Sequence, residues 1–360
     1  MHHAKSIFSL TLLLLLTLAG PAQNDSAKKM ADEYTALTQQ VNEKMQAVKD
    51  REEYDKLLVE TNITLDALLQ KYAQAGANDE LEMIRSKILI DLKRFPEADQ
   101  KLARLIAVKS PLAPKAKLEQ INIRINSGNF AEAATLFKEI EAGIKPDKDV
   151  YYIYLALAME GPSRAVKEEY SRKFLAVSDL PAEITRYRDR VESALKQLQL
   201  MGKAAPAIAA ATWLNSKPLA LNQLSGKAVV IDFWATWCAP CRKVIPSLIE
   251  AYKQYQDQGL VVIGFTKLYG RYSDELENVG PLPADQEIAM IRKFVDRQRM
   301  IYPIAISSQM NDNPEFTAYS IAGIPTLVFI NRQGIIVDIK VGSGDESQIA
   351  EKIKMLLQEK

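Results

Sequence analysis

The chain has 360 residues, 25% of them charged and 48% hydrophobic, enough to bury sizeable cores in two domains without covalent staples. Its 46 Lys and Arg against 45 Asp and Glu leave a formal charge of +1, which argues against a nucleic-acid partner. The only histidines are His2 and His3, and the only cysteines are Cys238 and Cys241. Once the first residues are removed, no imidazole remains to act as a base or to hold zinc.

The chain opens with Met1-His2-His3-Ala4-Lys5 and then runs apolar over residues 7–19. Small residues follow at Gly20-Pro21-Ala22, a pattern that predicts a signal peptide over residues 1–22, cleaved after Ala22. A bilayer-spanning helix takes about 20 apolar residues. This run has 13, with Ser9, Thr11 and Thr17 among them. The expectation is an exported, periplasmic protein, membrane-anchored only if the segment stays attached. Its compartment then lies outside the cytosol and permits disulfides.

Residues 23–200 read as an all-α domain. Leu57, Leu58, Leu65, Leu68, Leu69 and Tyr72 recur at helical spacing, β-branched runs are scarce, and the remainder is rich in Glu, Lys, Gln and Ala. Helix breaks are expected at Ala75-Gly76-Ala77-Asn78, Ser110-Pro111, Ser127-Gly128-Asn129 and Lys145-Pro146-Asp147. Phe95-Pro96-Glu97-Ala98 recurs 35 residues later as Phe130-Ala131-Glu132-Ala133, and Leu102 and Leu105 find partners in Phe137 and Ile140. A period near 34 belongs to helical-hairpin repeats, although a third copy near Ala165 is barely recognisable. Two readings stand: a partner-binding helical array, or a helical domain whose packing alone sets the spacing.

Residues 201–218 read as a linker or lead-in strand, and after Lys217-Pro218 strands and helices alternate. Residues 228–234 predict a strand buried on both faces, residues 238–256 a helix kinked at Pro246, residues 260–266 a second buried strand and residues 286–299 a helix. Residues 326–330 and 335–341 predict a hairpin, and Asp345 with Gln348 a capping box for the last helix. The expected fold is a mixed central sheet flanked by helices. The long connection over residues 267–285 is either a groove-shaping element or a tolerated insertion.

Trp237-Cys238-Ala239-Pro240-Cys241 falls where the first buried strand turns into a helix. A thiol there faces unpaired backbone N–H groups and the positive end of the dipole, so its thiolate is stabilised. Cys238 is expected to be the exposed nucleophile and Cys241, one turn deeper, the resolving thiol. Zinc would find half a ligand set, and a clip across so short a loop restrains little, so redox chemistry is the favoured reading. No metal or cofactor is implied.

Ile231-Asp232-Phe233-Trp234-Ala235-Thr236-Trp237-Cys238-Ala239-Pro240-Cys241-Arg242 resembles the active-site segment of thioredoxin-like proteins. Its flanks are similar to those of the exported TlpA/ResA-like thiol-disulfide oxidoreductases: Ala205-Pro206, Leu224-Ser225-Gly226-Lys227 and Ala322-Gly323-Ile324-Pro325-Thr326. The resemblance covers residues 205–360 and leaves the helical half unassigned. It implies a thioredoxin-like fold and a redox-active Cys238–Cys241 disulfide. It also implies a cis-proline loop at Ile324, Pro325 and Thr326 that holds the substrate backbone beside Trp237, Ala239 and Pro240.

It further implies that Asp232, buried in an apolar strand, exchanges a proton with Cys241; the rival account is an Asp satisfied by neighbouring donors. Many exported relatives carry a glutamate three residues after the second cysteine, where this chain has Val244. Trp234 is expected to pack, Trp237 to be partly exposed, and Arg242 and Lys243 to be solvated surface charges. The expected partners are disulfide-containing client proteins and a membrane-borne electron donor or acceptor. A thiol peroxidase is a poorer reading, since Ala235 stands where such an enzyme needs a threonine.

Overall fold

The computed structural model describes residues 21–48, 50–76, 78–343 and 346–358. Residues 1–20, which hold most of the leader pattern, and Asp345 of the expected capping box fall outside the described residues. The chain divides into two compact units at Ile184/Thr185.

The first unit is helical: α1 (Pro21–Ala47), α2 (Arg51–Lys71), α3 (Asp79–Asp91), α4 (Phe95–Ala107), α5 (Ala113–Asn126), α6 (Phe130–Ile140), α7 (Lys148–Glu160), α8 (Arg164–Ala176) and the short α9 (Ala182–Thr185) at its end. The four expected breaks all fall between helices. Short polar side chains start several of these helices by accepting from backbone N–H groups, as Asn78 does from Leu81 at 2.7 Å and Asp147 from Asp149 at 3.0 Å.

The helices α3/α4, α5/α6 and α7/α8 form three successive hairpins whose starts lie 34 or 35 residues apart. The inward residues of α4 (Ala98, Leu102) recur in α6 as Ala133 and Phe137. In α8 they are Tyr170, Ser171 and Phe174, and Tyr170 and Phe174 lie two residues beyond the 35-residue register of Ala133 and Phe137, which is why the third copy is nearly invisible in the sequence. Phe137, Tyr154 and Tyr170 meet with ring centroids 5.8 Å apart and tie the last two hairpins together.

The turn closing the second hairpin uses Gly128 at φ 74°, with Asn129 N donating to Arg124 O at 2.8 Å. Thirty-five residues earlier the same left-handed position is Lys93 at φ 57°, where a side chain crowds the following carbonyl. Lys93→Gly is therefore expected to stabilise this unit by about 1 kcal/mol. A drop in the urea midpoint would contradict this.

The second unit begins with α10 (Arg188–Leu200), followed by β1 (Thr212–Leu214), β2 (Ala228–Phe233), α11 (Ala239–Tyr255), β3 (Leu260–Lys267), β4 (Tyr272–Ser273) and β5 (Asn278–Val279). Then come α12 (Ala284–Arg297), β6 (Ile304–Ser307), α13 (Pro314–Ala318), β7 (Thr326–Ile330), β8 (Ile336–Val341) and α14 (Glu346–Gln358). The expected boundary near residue 200 needs correction. Gln197 donates to Ser320 O at 3.0 Å and Leu200 packs on the sheet, so α10 belongs to the redox unit.

The main sheet has the order β1-β6-β3-β2-β7-β8. Strands β2, β3 and β6 run parallel, and β1, β7 and β8 are antiparallel to their neighbours. Central β2 is buried throughout, so its residues alternate between two apolar layers. Val229, Ile231 and Phe233 face a layer with Phe265 and Tyr319. Ala228, Val230 and Trp234 face the layer formed by α11, α12 and α14, which also contains both cysteines. Strand β1 falls within the expected lead-in segment 201–218, whereas strand β6 and the hairpin β4/β5 are additions to the sequence reading, each too short to show a period.

Candidate active site

The site forms where β2 hands over to α11. Cys238 is the N-cap of that helix, and its Sγ accepts from Cys241 N at 3.1 Å. Ala239 and Pro240 occupy the exposed first turn, where proline gives up a donor the helix does not use. Cys238 and Cys241 are joined in a disulfide. Contrary to the expected exposure, Cys238 is only 3% exposed. Its sulfur is bonded to that of Cys241, which lies wholly within the core, and the exposed surface belongs to Trp237, Ala239 and Pro240.

The Ile324–Pro325 peptide bond is cis. Ile324 packs against the cluster that contains both cysteines. Thr326 stands opposite Phe233 in the β2/β7 register, and its hydroxyl donates to Gly323 O at 2.7 Å. The fold thus brings the residues predicted from the two motifs to one end of the sheet. Trp234 is buried, with its ring stacked on Phe294 at 5.5 Å, whereas Trp237 is 38% exposed.

Asp232 is fully buried, and neither carboxyl oxygen has a hydrogen-bond partner among the described residues. Desolvation alone pushes its pKa up to about 8. By strand alternation its side chain shares a face with Val230, Trp234 and the cysteines. Its neighbour across the parallel pair is Gly264. A Cβ there would lie 2.7 Å from Ile304 Cδ1, 3.0 Å from Trp234 Nε1 and 3.2 Å from Tyr302 Cε2. Trp234 Nε1 and the Tyr302 hydroxyl are also buried without a partner among the described residues, so the polar atoms near Asp232 do not compensate its burial. No side chain or backbone donor among the described residues meets the carboxyl.

Sequence reasoning missed how the insertion is tied to this site. Its first residues are pinned to α12, where Glu287 accepts from Tyr269 N at 2.7 Å and Gly270 N at 2.8 Å. The Tyr269 ring meets the Trp237 ring edge-on at 5.4 Å. Burial would raise the Asp274 carboxyl, but donation from the Tyr272 hydroxyl, the backbone N–H groups of Leu276 and Glu277, and Arg297 holds it at about 2. Arg242, expected to be solvated, has a side chain only 22% exposed and pairs with Glu275 at 3.1 Å. A charged residue directly after the second cysteine was the available signal, and its partner lies 33 residues further along the chain.

The C-terminal half is a thioredoxin-like domain of the thiol-disulfide oxidoreductase class, as its sheet, helix-capping disulfide and cis-proline loop together indicate. Residues 201–339 match the sequence model of the AhpC/TSA family. Among curated relatives, the chain is 28% identical over 143 residues to the thiol-disulfide oxidoreductase ResA of Halalkalibacterium halodurans, spanning 40% of this chain and 70% of that protein. It is also 28% identical to ResA of Bacillus subtilis, over 39% of this chain and 68% of that one. A solved structure titled as a putative thiol:disulfide interchange protein DsbE from Chlorobium tepidum is 24% identical, with a TM-score of 0.34 over 44% of this chain and 97% of its own. Among the described residues, no helix is long and apolar enough to cross a membrane.

Proposed function

We propose that the protein is an exported reductase of disulfides in client proteins, with Cys238 as nucleophile and Cys241 as resolving thiol. The observation that carries this reading is the Cys238 sulfur at a helix N-terminus, 3.1 Å from a backbone N–H and bonded to a buried second sulfur. In the reduced protein the same N–H group and dipole favour a Cys238 thiolate.

That thiolate attacks one sulfur of a client disulfide, and the other client sulfur leaves as a thiolate. Cys241 then gives its proton to the Asp232 carboxylate and attacks Cys238 Sγ. The Cys238–Cys241 bond forms, the remaining client sulfur departs as a thiolate, and two electrons have passed from the protein to the client. Trp237, Ala239 and Pro240 on one side, and Ile324, Pro325 and Thr326 on the other, flank the client backbone. Outside the cytosol, regeneration requires a membrane-borne electron donor. Export rests on the leader pattern of residues 1–22 and fits the resemblance to exported oxidoreductases.

The direction is tested by the reduction potential of the pair, measured by Trp fluorescence in thiol/disulfide buffers with alkylation as a check. A value near about −270 mV is expected of a reductase, whereas one near about −120 mV would reverse the assignment. A peroxidase remains the weaker reading because Ala235 cannot supply the hydroxyl that activates peroxide. Peroxide consumption under saturating reductant would reinstate it.

A second reading is favoured by the three hairpins: the helical unit binds a partner and delivers the redox unit to it. A truncation ending before Thr185, which leaves α10 in place, should keep activity on a small disulfide and lose rate on the natural client. Full activity on that client would sink this reading.

A further inference from the structure

The insertion grips the redox motif from both sides. Before the cysteines, Tyr269 holds Trp237 edge-on at 5.4 Å. After them, Arg242 Nη1 donates to Thr236 O at 2.9 Å, and Arg242 Nε lies 3.1 Å from Glu275 Oε2. Glu275 is fixed in turn, since its Oε1 accepts from Gln298 Nε2 at 3.1 Å and lies 3.6 Å from Arg297. Arg242 thus clasps the carbonyl two residues ahead of Cys238 from the first turn of the same helix. A guanidinium at that end opposes the helix dipole, which gives the anion from the insertion a reason to be there.

We propose that Arg242 and Glu275 are positioning residues that set the charge felt by Cys238. Arg242 braces the turn and adds positive potential to it, and Glu275 holds part of that potential back. The inference rests on the reading of Cys238 as nucleophile. The other charged groups around the motif are Asp232 from β2, Lys243 from α11, Lys267 at the end of β3, Asp274 in the insertion, and Glu287 and Arg297 from α12; Lys267 lies 5.4 Å from the centroid of the Tyr269 ring, and Glu287 accepts from the backbone of Tyr269 and Gly270. None of them is altered in the test.

A lower thiolate pKa stabilises the reduced pair and makes it more oxidising. In the full chain, Glu275→Gln is expected to lower the Cys238 pKa and raise the potential. Arg242→Met is expected to do the opposite, and the double variant to return toward wild type. Each single change should alter the exchange equilibrium roughly two- to tenfold, at most about 30 mV. The readouts are pH-dependent alkylation of Cys238 and equilibration in glutathione buffers.

Loosening of the structure would move both single variants the same way, so shifts of equal sign, or none in either, overturn the proposal. Should Arg242→Met not fold, the near-isosteric Glu275→Gln decides by its sign. Failure of the underlying reading is distinct: the wild-type protein would then be alkylated first at Cys241.

Discussion

Serine at Cys238 is expected to reduce disulfide exchange to the uncatalysed background, whereas serine at Cys241 should leave the first half of the reaction intact. The asymmetry follows from position. Cys238 Sγ sits at the N-cap with the Cys241 N–H aimed at it, while Cys241 lies wholly in the core, bonded to the sulfur of the chain's other cysteine, Cys238. Without the second thiol, the mixed disulfide between Cys238 and the client has no intramolecular exit. Cys241→Ser should therefore accumulate one covalently held client per molecule, seen as a dithiothreitol-sensitive band on non-reducing electrophoresis. If Cys238→Ser trapped clients and Cys241→Ser did not, the roles would be exchanged.

Asp232→Asn should make the protein more stable and slower at once. The carboxyl's pKa is raised from 3.8 to about 8, so over that interval the folded state keeps a proton that the unfolded chain releases. Wild-type stability attributable to this group is thus complete below about pH 4 and is lost as pH rises toward about 8. An amide has no such dependence. At pH 7 the variant should be the more stable by on the order of 4 kcal/mol, at about 1.4 kcal/mol per pH unit, and the difference should vanish near pH 4. Urea titrations at both values check this, and equal midpoints at pH 7 would refute the burial argument.

The kinetic half has the opposite sign. Resolution by Cys241 needs an ionised acceptor, so release of the mixed disulfide should accelerate with pH to a plateau above about 8 in the wild type. Asp232→Asn should lose that rise and run on the order of 10²-fold slower at the plateau. An unchanged pH profile would leave Asp232 without a part in proton transfer.

Much of the redox unit was legible because its signals are local. A continuous apolar run marked β2, the break into Cys238-Ala239-Pro240-Cys241 marked the start of α11, and Gly323-Ile324-Pro325-Thr326 marked the loop before β7. Strand β6 was missed because four residues after Pro303 carry no period, and only its pairing with β3 and β1 in the folded sheet defines it as a strand. Arg242 was misread for a related reason. Its partner Glu275 reaches it through a long connection, and distance along the chain hides such ion pairs. The helical unit shows the same limit: Ala98 and Ala133 share a register, whereas Tyr170 and Phe174 do the same work two residues out of that register and leave no echo.

Gly264 restricts how this site can diverge. Side chains on the neighbouring strand are the obvious source of a counter-ion for Asp232, yet any Cβ at Gly264 would collide with Ile304 and crowd Trp234 and Tyr302. A lysine or arginine there would have to displace the end of Ile304 and press on Trp234 and Tyr302. The carboxyl is therefore crowded on that side, and its raised proton affinity comes from burial alone. Substitution at Gly264 itself is thus a costly route to a counter-ion for the acid, since the first atom of any new side chain already meets Ile304.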